Sequence, residues 1–473
     1  MKTVLIIAGS DPGAGAGLQQ DLKTATLLGA YGLTVTCALT VQNSLGVSGV
    51  HPVPSEVVAA QLDAVLGDFP IHAVKLGMLA GADIVRTVAA RLKEHLGEGQ
   101  GGGTGANRPP APSPRHSLPL ILDPLLAAGR GEALLDDEGM EAVKRELFPL
   151  TTILTPNVPE AARLTGMAID TPVHLEEAAR RLAALGPAWV LAKGGHLAGE
   201  PVDVLTDGKN AYHLTGERLE APHHHGSGCL LATALAAHLA QGQTVPEAVH
   251  RARHLVRQAL RYGLPLGRGV GPVNPYAPFA REAARYRVLQ ELNAAAARLA
   301  REDISPLIPE VMSNLGYAAP YAEGPGDVAA FPGRILKTPN GALIPAPPAF
   351  GASRHLAAVI LTAGRTHPEV RAAMNVRYIE GIEELAPLLH LKAAGFDRAQ
   401  EPPEVKAREG GTLAWGVGSV LANLQPWEPP PDIIFDRGEV GKEPMLRILG
   451  RTPGEVAEKA LALKNALQVG GAP

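Results

Sequence analysis

Apolar and polar positions along this chain alternate between short buried runs and amphipathic stretches. Leu5-Ile6-Ile7-Ala8 is a continuous apolar run of strand length. A glycine turn from Gly9 to Gly17 follows, and then Leu18, Leu22, Thr26 and Leu27 recur at helical spacing. Further strands are expected at Gly32–Ala38, Ala73–Leu76, Leu120–Leu122, Thr152–Leu154 and Trp189–Ala192. Between them, amphipathic helices are expected at Ser55–Leu66, Leu175–Leu185 and Val245–Tyr262. Apolar strands alternating with helices predict an α/β fold with a mainly parallel sheet covered on both faces. The pattern resumes after a long helical stretch at about 278–301, with strands expected near Ala357–Leu361, Ala414–Trp415 and Asp432–Phe435.

The 473 residues exceed what one hydrophobic core serves. The patterning divides them into a first domain, 1–275, a helical segment, 276–302, and a second α/β domain over 303–468. The helical segment is a connector or the opening element of the second domain. Gly97–Ser117, rich in Gly and Pro and without a periodic apolar face, is expected to be a mobile surface insertion in the first domain. With 46% hydrophobic and 19% charged residues and a formal charge of −4, the chain offers no polybasic surface for nucleic acid or anionic lipid. No apolar run is long enough to cross a bilayer, and no secretory leader precedes the first strand. Two cysteines, Cys37 and Cys229, cannot build a disulfide framework, so a reduced, cytoplasmic setting is expected.

Candidate chemistry gathers at turns. The opening turn lets backbone approach a ligand, but it lacks the Lys-Ser/Thr ending of a phosphate loop and is weak evidence alone. His225-Gly226-Ser227-Gly228-Cys229 precedes the apolar helix Leu230–Leu239. Successive N–H groups of Gly226, Ser227, Gly228 and Cys229 would cradle a transferring phosphoryl group. Cys229, last in the cradle, is placed to take a substrate proton, and the helix N-terminus is expected to lower its pKa toward neutrality. A buried structural cysteine is the alternative. Asp123 and Glu160 follow strands at the sheet end where an open α/β fold binds ligands, and there Mg²⁺ keeps most of its waters. Glu160 serves equally well as an N-terminal helix charge. The backbone at Lys193 would line a nucleotide. His223-His224-His225 is read as the approach to the cradle, with no dedicated transition-metal site expected.

Residues 1 to about 275 resemble the bacterial hydroxymethylpyrimidine/phosphomethylpyrimidine kinase family (ThiD) of the ribokinase-like fold. The resemblance rests on the opening loop, Thr40-Val41-Gln42-Asn43-Ser44-Leu45-Gly46-Val47, Lys75-Leu76-Gly77-Met78-Leu79, Leu122-Asp123-Pro124, Leu154-Thr155-Pro156-Asn157, Lys193-Gly194-Gly195-His196 and His225–Cys229. It implies two successive phosphorylations with ATP and Mg²⁺, first of the pyrimidine alcohol and then of its monophosphate. It further implies that Gln42 bonds the aminopyrimidine, that Ala16 and Met78 pack its ring, that Cys229 is the base, and that Asn157 and Glu160 organise Mg²⁺ and its waters. Where family members carry a longer polar residue after the Asp-Pro strand, this chain has Ala127-Ala128-Gly129-Arg130. A pyridoxal-type kinase of the same fold is an alternative, and kinases of this fold often form homo-oligomers.

In the second domain, cations stand beside glycine turns: Arg334, Arg354, Arg377, Arg398, Arg437 and Lys442. Arginine forks suit phosphate and diphosphate, although Asp397-Arg398 and Asp436-Arg437 would also serve ordinary ion pairs. The region resembles the ThiN-type thiamine-phosphate synthase domain through Ser313–Ala318, Gly351–His355 and Asp436–Pro444. That resemblance implies condensation of the pyrimidine diphosphate with a thiazole phosphate, releasing pyrophosphate, with Arg334 and His355 catalytic. Related domains that only sense ligand lack this Arg and His. The implied partners are small-molecule substrates.

Overall fold

Continuous apolar runs become the interior strands of a nine-stranded sheet because helices cover both of its faces. The computed structural model describes residues 1–98, 118–126, 134–406, 411–425 and 427–469. The strands are β1 (Lys2–Ser10), β2 (Ala30–Asn43), β3 (Gly46–Pro52), β4 (Ala73–Leu76), β5 (Leu120–Leu122), β6 (Ile153–Leu154), β7 (Trp189–Ala192), β8 (Val202–Thr206) and β9 (Ala211–Thr215). Their spatial order is β3-β2-β1-β4-β5-β6-β7-β8-β9. The block from β2 to β7 is parallel, and the antiparallel pairs lie at the two margins. On one face, Leu5, Ile7, Val74, Leu76, Leu122 and Leu154 meet Val58, Leu62, Val88 and Leu182 of the covering helices. On the other, helix Gly17–Leu27 packs beside helix Ser227–Ala240, in which every residue from Cys229 to Ala240 is buried. Such burial on all sides marks a central helix.

The chain divides into two units, Met1–Pro278 and Phe279–Pro473. The expected connector helix is in fact two helices, Ala277–Ala283 and Arg285–Arg301. Val288, Leu292, Ala295, Ala296 and Leu299 of the latter are buried with Leu315, Ile448 and Ala460, so of the two readings of this segment the helix packs as the opening element of the second unit's core. The stretch 99–117, including nearly all of the expected insertion, lies outside the described residues, as does Ala127–Arg130.

Two strand expectations in the second unit give way to helices. Ala357–Leu361 lies within helix Arg354–Thr366, whose start is capped by Ser353 Oγ accepting from Leu356 N–H at 3.3 Å. Ala414–Trp415 lies within helix Gly411–Ala422. Gly416 there accommodates the Phe396 ring, which a Cβ would meet at 2.4 Å. Short apolar runs carry no period that separates a strand from a buried helix. The second unit's sheet runs in the order Ala349–Phe350, Val328–Ala330, Asn314–Ala318, Ala372–Arg377, Met445–Gly450, Ile433–Asp436, Ala393–Gly395. Only its last pairing is parallel, so this α/β unit is built on a mainly antiparallel sheet.

Candidate active sites

Parallel strands of the first unit deliver the site from their C-terminal ends, where an open α/β sheet exposes its crevice. Asp123 follows β5, and its N–H donates to Leu76 O at 3.0 Å. Its Oδ1 accepts from Thr155 Oγ1 at 3.0 Å and from Lys193 Nζ at 3.1 Å. Asn157 and Lys193 form a parallel bridge at the ends of β6 and β7. Asn157 Oδ1 accepts the Glu160 N–H at 2.9 Å and Glu160 Oε2 accepts the Asn157 N–H at 2.7 Å, a reciprocal capping box on helix Val158–Thr165. The bland role foreseen for Glu160 is thus real, but it leaves the other carboxylate oxygen unspent. Burial, reinforced by Asp123 and opposed by Lys193, pushes the Glu160 carboxyl up to about 7.

The opening turn behaves differently from the expectation that it greets a ligand. Asp11, buried, accepts from Gly13 N–H at 2.8 Å, Gly15 N–H at 3.1 Å and Ala16 N–H at 2.8 Å. Three of the loop's donors are thus occupied by its own carboxylate. Asp11 Oδ2 also lies 3.1 Å from His225 Nε2, which lies 3.0 Å from Gln42 Nε2. Ala16, Gln42 and His225 are thereby joined in one network through Asp11. Met78 reaches the same loop, its Sδ 3.1 Å from where a Gly9 Cβ would stand, and it packs with Ala38 and Leu134. Adjacent His223 and His224 turn elsewhere, to Gly271 N–H and Ala221 O. Among the described residues no cluster of three His, Cys, Asp or Glu side chains could hold a metal ion.

The cradle is fixed by backbone meeting backbone. Gly226 precedes helix Ser227–Ala240 at φ 81°, and a Cβ there would stand 1.8 Å from Gly15 O. Only glycine satisfies both the left-handed conformation and the close approach. The first turn of a helix has no internal acceptors for its N–H groups. Ser227 N–H is taken by His224 O at 3.3 Å, so of the helix's first-turn donors those of Gly228 and Cys229 remain without a backbone acceptor. A Cβ on Gly228 would stand 3.3 Å from Asp123 Oδ2 and 3.6 Å from Lys193 Nζ, so the cradle, carboxylate and ammonium converge there.

Cys229 departs from expectation. Burial pushes its thiol up to about 11, against the pull of Lys75 and of the Gly17 N–H, and nearby Asp21 and Asp123 add to the rise. The helix N-terminus does not offset the loss of water around a residue only 8% exposed, so the resting group is a thiol. Cys37, fully buried, is pushed up to about 12 by burial alone.

In the second unit the expected cations gather only in part. Arg334 sits at φ 60°, rare for a residue with a side chain, and its Nη1 donates to Val311 O. The preceding Phe331 is clamped to Asn314, which accepts its N–H at 3.0 Å and donates to its carbonyl at 2.9 Å. Glu443 accepts from Glu310 and Val311 N–H at 3.0 and 3.3 Å, bringing the 441–444 turn to the segment Arg334 holds. His355, exposed on the first turn of its helix, shares no hydrogen bond or ion pair with Arg334. Arg354 is exposed beside it. Arg377 donates to Pro306 O at 2.5 Å, Arg437 pairs with Glu383 at 2.8 Å, and Lys442 stands 3.9 Å from Glu439.

The family model for phosphomethylpyrimidine kinase matches residues 11–98 and 113–274. The chain belongs to the phosphomethylpyrimidine kinase family. Its second part, residues 291–462, matches the model for thiamine-phosphate synthase ThiN, so a ThiN domain follows the kinase-family region in the chain. A hydroxymethylpyrimidine/phosphomethylpyrimidine kinase of Streptomyces coelicolor is 45% identical over 271 residues, covering 57% of this chain and 93% of that protein. The thiamine biosynthesis bifunctional protein ThiED of Geobacter sulfurreducens is 46% identical over 58% of this chain, which spans about half, 52%, of that protein's length. An ADP complex of Bacillus subtilis pyridoxal kinase superposes with a TM-score of 0.50 at 33% identity, covering 59% of this chain and 99% of that one. The ribokinase-like fold of the first unit follows from that likeness.

Sequence reasoning gave no role to Asp11, nor to Asp21, Lys75 and Thr233, which are buried together with Lys75 Nζ 2.7 Å and Thr233 Oγ1 2.6 Å from the Asp21 carboxylate. The signal for Lys75 was present, since a charge inside the apolar strand Ala73-Val74-Lys75-Leu76 requires a buried partner.

Proposed function

We propose that the first unit phosphorylates 4-amino-5-hydroxymethyl-2-methylpyrimidine with ATP, and then its monophosphate, to give the diphosphate. The second unit condenses that diphosphate with thiazole phosphate to thiamine phosphate and pyrophosphate. The observation that carries the kinase reading is the convergence of Asp123 and Lys193 on Gly228 at the head of the glycine cradle. N–H groups of Gly228 and Cys229 hold the peripheral oxygens of the γ-phosphoryl group, and Lys193 offsets charge on it as the bond to ADP breaks. The substrate hydroxyl oxygen forms the new bond to phosphorus, and its proton passes to Cys229 in thiolate form. That thiol first gives up its own proton to solvent. Gln42, held beside His225, bonds the aminopyrimidine, while Met78 and Ala16 bracket its ring.

Two carboxylates, Asp123 and Glu160, flank the Lys193 ammonium, and the raised Glu160 carboxyl gains from a nearby cation. This donor set fits Mg²⁺ held largely through waters, which would neutralise the nucleotide's phosphates. In the second unit, Arg334 supports departure of the diphosphate and His355 assists it as an imidazolium, with Arg354, Arg377, Arg437 and Lys442 as candidate phosphate contacts. The strained backbone at Arg334 supports this role. Two free buried thiols suit a reducing, cytoplasmic setting, and no described helix is long and apolar enough to cross a membrane.

Assaying ADP release with the pyrimidine alcohol, its monophosphate and pyridoxal tests the first unit. Turnover of both pyrimidines is expected, and pyridoxal as the only good substrate would overturn the reading. For the second unit, the purified chain given pyrimidine diphosphate and thiazole phosphate should form thiamine phosphate. Tight product binding without turnover would make it a sensor.

A further inference from the structure

Lys75 stands at an unusual place for a charge. It lies in β4, in register with Ile6 of β1 and Ile121 of β5, and is fully buried beneath the helices Gly17–Leu27 and Ser227–Ala240. Its Nζ is 2.7 Å from Asp21 Oδ2, and both side chains have no exposure. Thr233 Oγ1 donates to the other oxygen, Asp21 Oδ1, at 2.6 Å. A buried ion pair of this kind is weak evidence for stability, because well-packed apolar replacements are often neutral or better. Its position suggests another use.

Thr233 is one helical turn beyond Cys229 on the same helix, so the two side chains share a face. Asp21 is one turn beyond Gly17, whose N–H donates toward the Cys229 sulfur. Lys75 Nζ also reaches the site end of its strand, 2.8 Å from where a Gly77 Cβ would stand. Three elements that meet at Cys229 are therefore tied together by one carboxylate and one ammonium. The charged groups facing the sulfur are Lys75 from β4, Asp21 from helix Gly17–Leu27, Asp123 after β5 and Lys193 after β7.

We propose that Lys75, Asp21 and Thr233 are positioning residues for the kinase reaction: Asp21 locks the Cys229 helix to the sheet through Thr233, and Lys75 supplies the fixed cation that favours the Cys229 thiolate. Burial works against the Lys75 cation, but Asp21, Cys229 and Asp123 hold its pKa above the ordinary lysine value, so it remains charged. This deepens the reading of Cys229 as the reacting thiol and rests on it. Lys75 offsets only part of what burial costs the sulfur, which still rests as a thiol.

The test is alkylation of Cys229 by iodoacetamide at a fixed pH of about 8, near the ordinary thiol pKa, in the full-length chain. Peptide mass spectrometry separates Cys229 from Cys37. Lys75→Met should slow Cys229 alkylation about tenfold, the effect of removing one nearby opposite charge. Asp21→Asn keeps an acceptor for Thr233 while removing the competing anion, and should speed it. In Lys75→Met, kcat should fall about tenfold with KM little changed, as expected when ground-state binding is intact. A merely structural role moves both variants in the same direction, and that outcome overturns the proposal. So does a Lys75→Met alkylation rate within twofold of the parent, or an Asp21→Asn rate at or below it. Where Lys75→Met fails to fold, the paired apolar replacement Lys75→Met/Asp21→Leu should still slow alkylation, but by less than tenfold, because losing the Asp21 anion offsets part of the loss of the cation. Full turnover in Cys229→Ala would defeat the base reading alone, because the alkylation contrast does not depend on it.

Discussion

In the first unit most charges of the site are buried and already joined to one another. Asp11, Asp21, Lys75, Asp123 and Glu160 are all at most 5% exposed, and each has a named partner. In the second unit Arg334, Arg354, His355, Arg377, Arg437 and Lys442 are all exposed. The buried charges there are others: Asp436 accepts from Arg398 at 2.6 Å and pairs with Arg447 at 2.7 Å beneath the sheet's end. Burial tends to raise the Asp436 carboxyl, but the two guanidinium groups win and hold it below its ordinary range. One unit thus arranges its dipoles before the substrate arrives, as electrostatic catalysis of phosphoryl transfer requires. The other carries its candidate phosphate contacts as exposed side chains, whose ordering on a ligand would cost side-chain entropy.

The largest expected effect follows from the prearranged unit. Cys229→Ala should lower kinase kcat by about 10²–10⁴-fold, the range for removing a general base. Thiamine phosphate synthesis by the same preparation should be unchanged. Equal loss of both activities would show that the two units fail together and that the contrast is not one of local design. In the exposed unit, Arg334→Ala should reduce synthase turnover by about 10²-fold, the lower end for loss of one charge-stabilising donor, with kinase activity intact. Turnover within twofold of the parent would remove Arg334 from the chemistry.

The contrast also explains what was legible in the sequence. The first unit's sheet could be read because strands buried on both faces are continuous apolar runs, and glycine turns mark where they end. Gly226 and Cys229 could be read because a glycine turn before an apolar helix is a local signal. The Asp11 loop could not, since nothing local distinguishes a turn whose N–H groups bind phosphate from one whose own Asp side chain takes them. Lys75, Asp21 and Thr233 lie on three elements far apart in the chain and meet only on folding. In the second unit, Ala357–Leu361 misled because five apolar positions fit a strand and one face of a helix equally. The cation count there was legible, but which cations pair, such as Arg398 and Arg447 with Asp436, depends on packing.

A smaller effect concerns Glu160. Its carboxyl, raised to about 7, holds a proton below that pH, and a cation near the nucleotide competes with that proton. Affinity for Mg-nucleotide, measured by calorimetry, should therefore weaken as pH falls, by about tenfold per unit below pH 7. Glu160→Gln should bind less tightly at pH 8 and show a flat profile. An unchanged slope in that variant would place the titration on another group.

The smallest effect is the sharpest test of the exposed unit. Arg437 and Glu383 lie 2.8 Å apart with 69% and 48% of their side chains exposed. A pair so open to water is screened and adds little to stability, so Arg437→Ala should leave thermal unfolding unchanged. If Arg437 contacts substrate phosphate, the same substitution raises KM for a phosphorylated substrate, by at most about fivefold, the upper range for an exposed charge contact. Glu383→Gln then acts in the opposite sense. It releases the guanidinium from its carboxylate, so that ordering it on phosphate no longer requires breaking an ion pair, and KM falls. Matching increases in KM from both substitutions would mean that the pair supports the turn at Asp436–Gly438 as a unit. No change from either would leave Arg437 a surface ion pair, and the phosphate contacts would then belong to Arg334 and the cations near it.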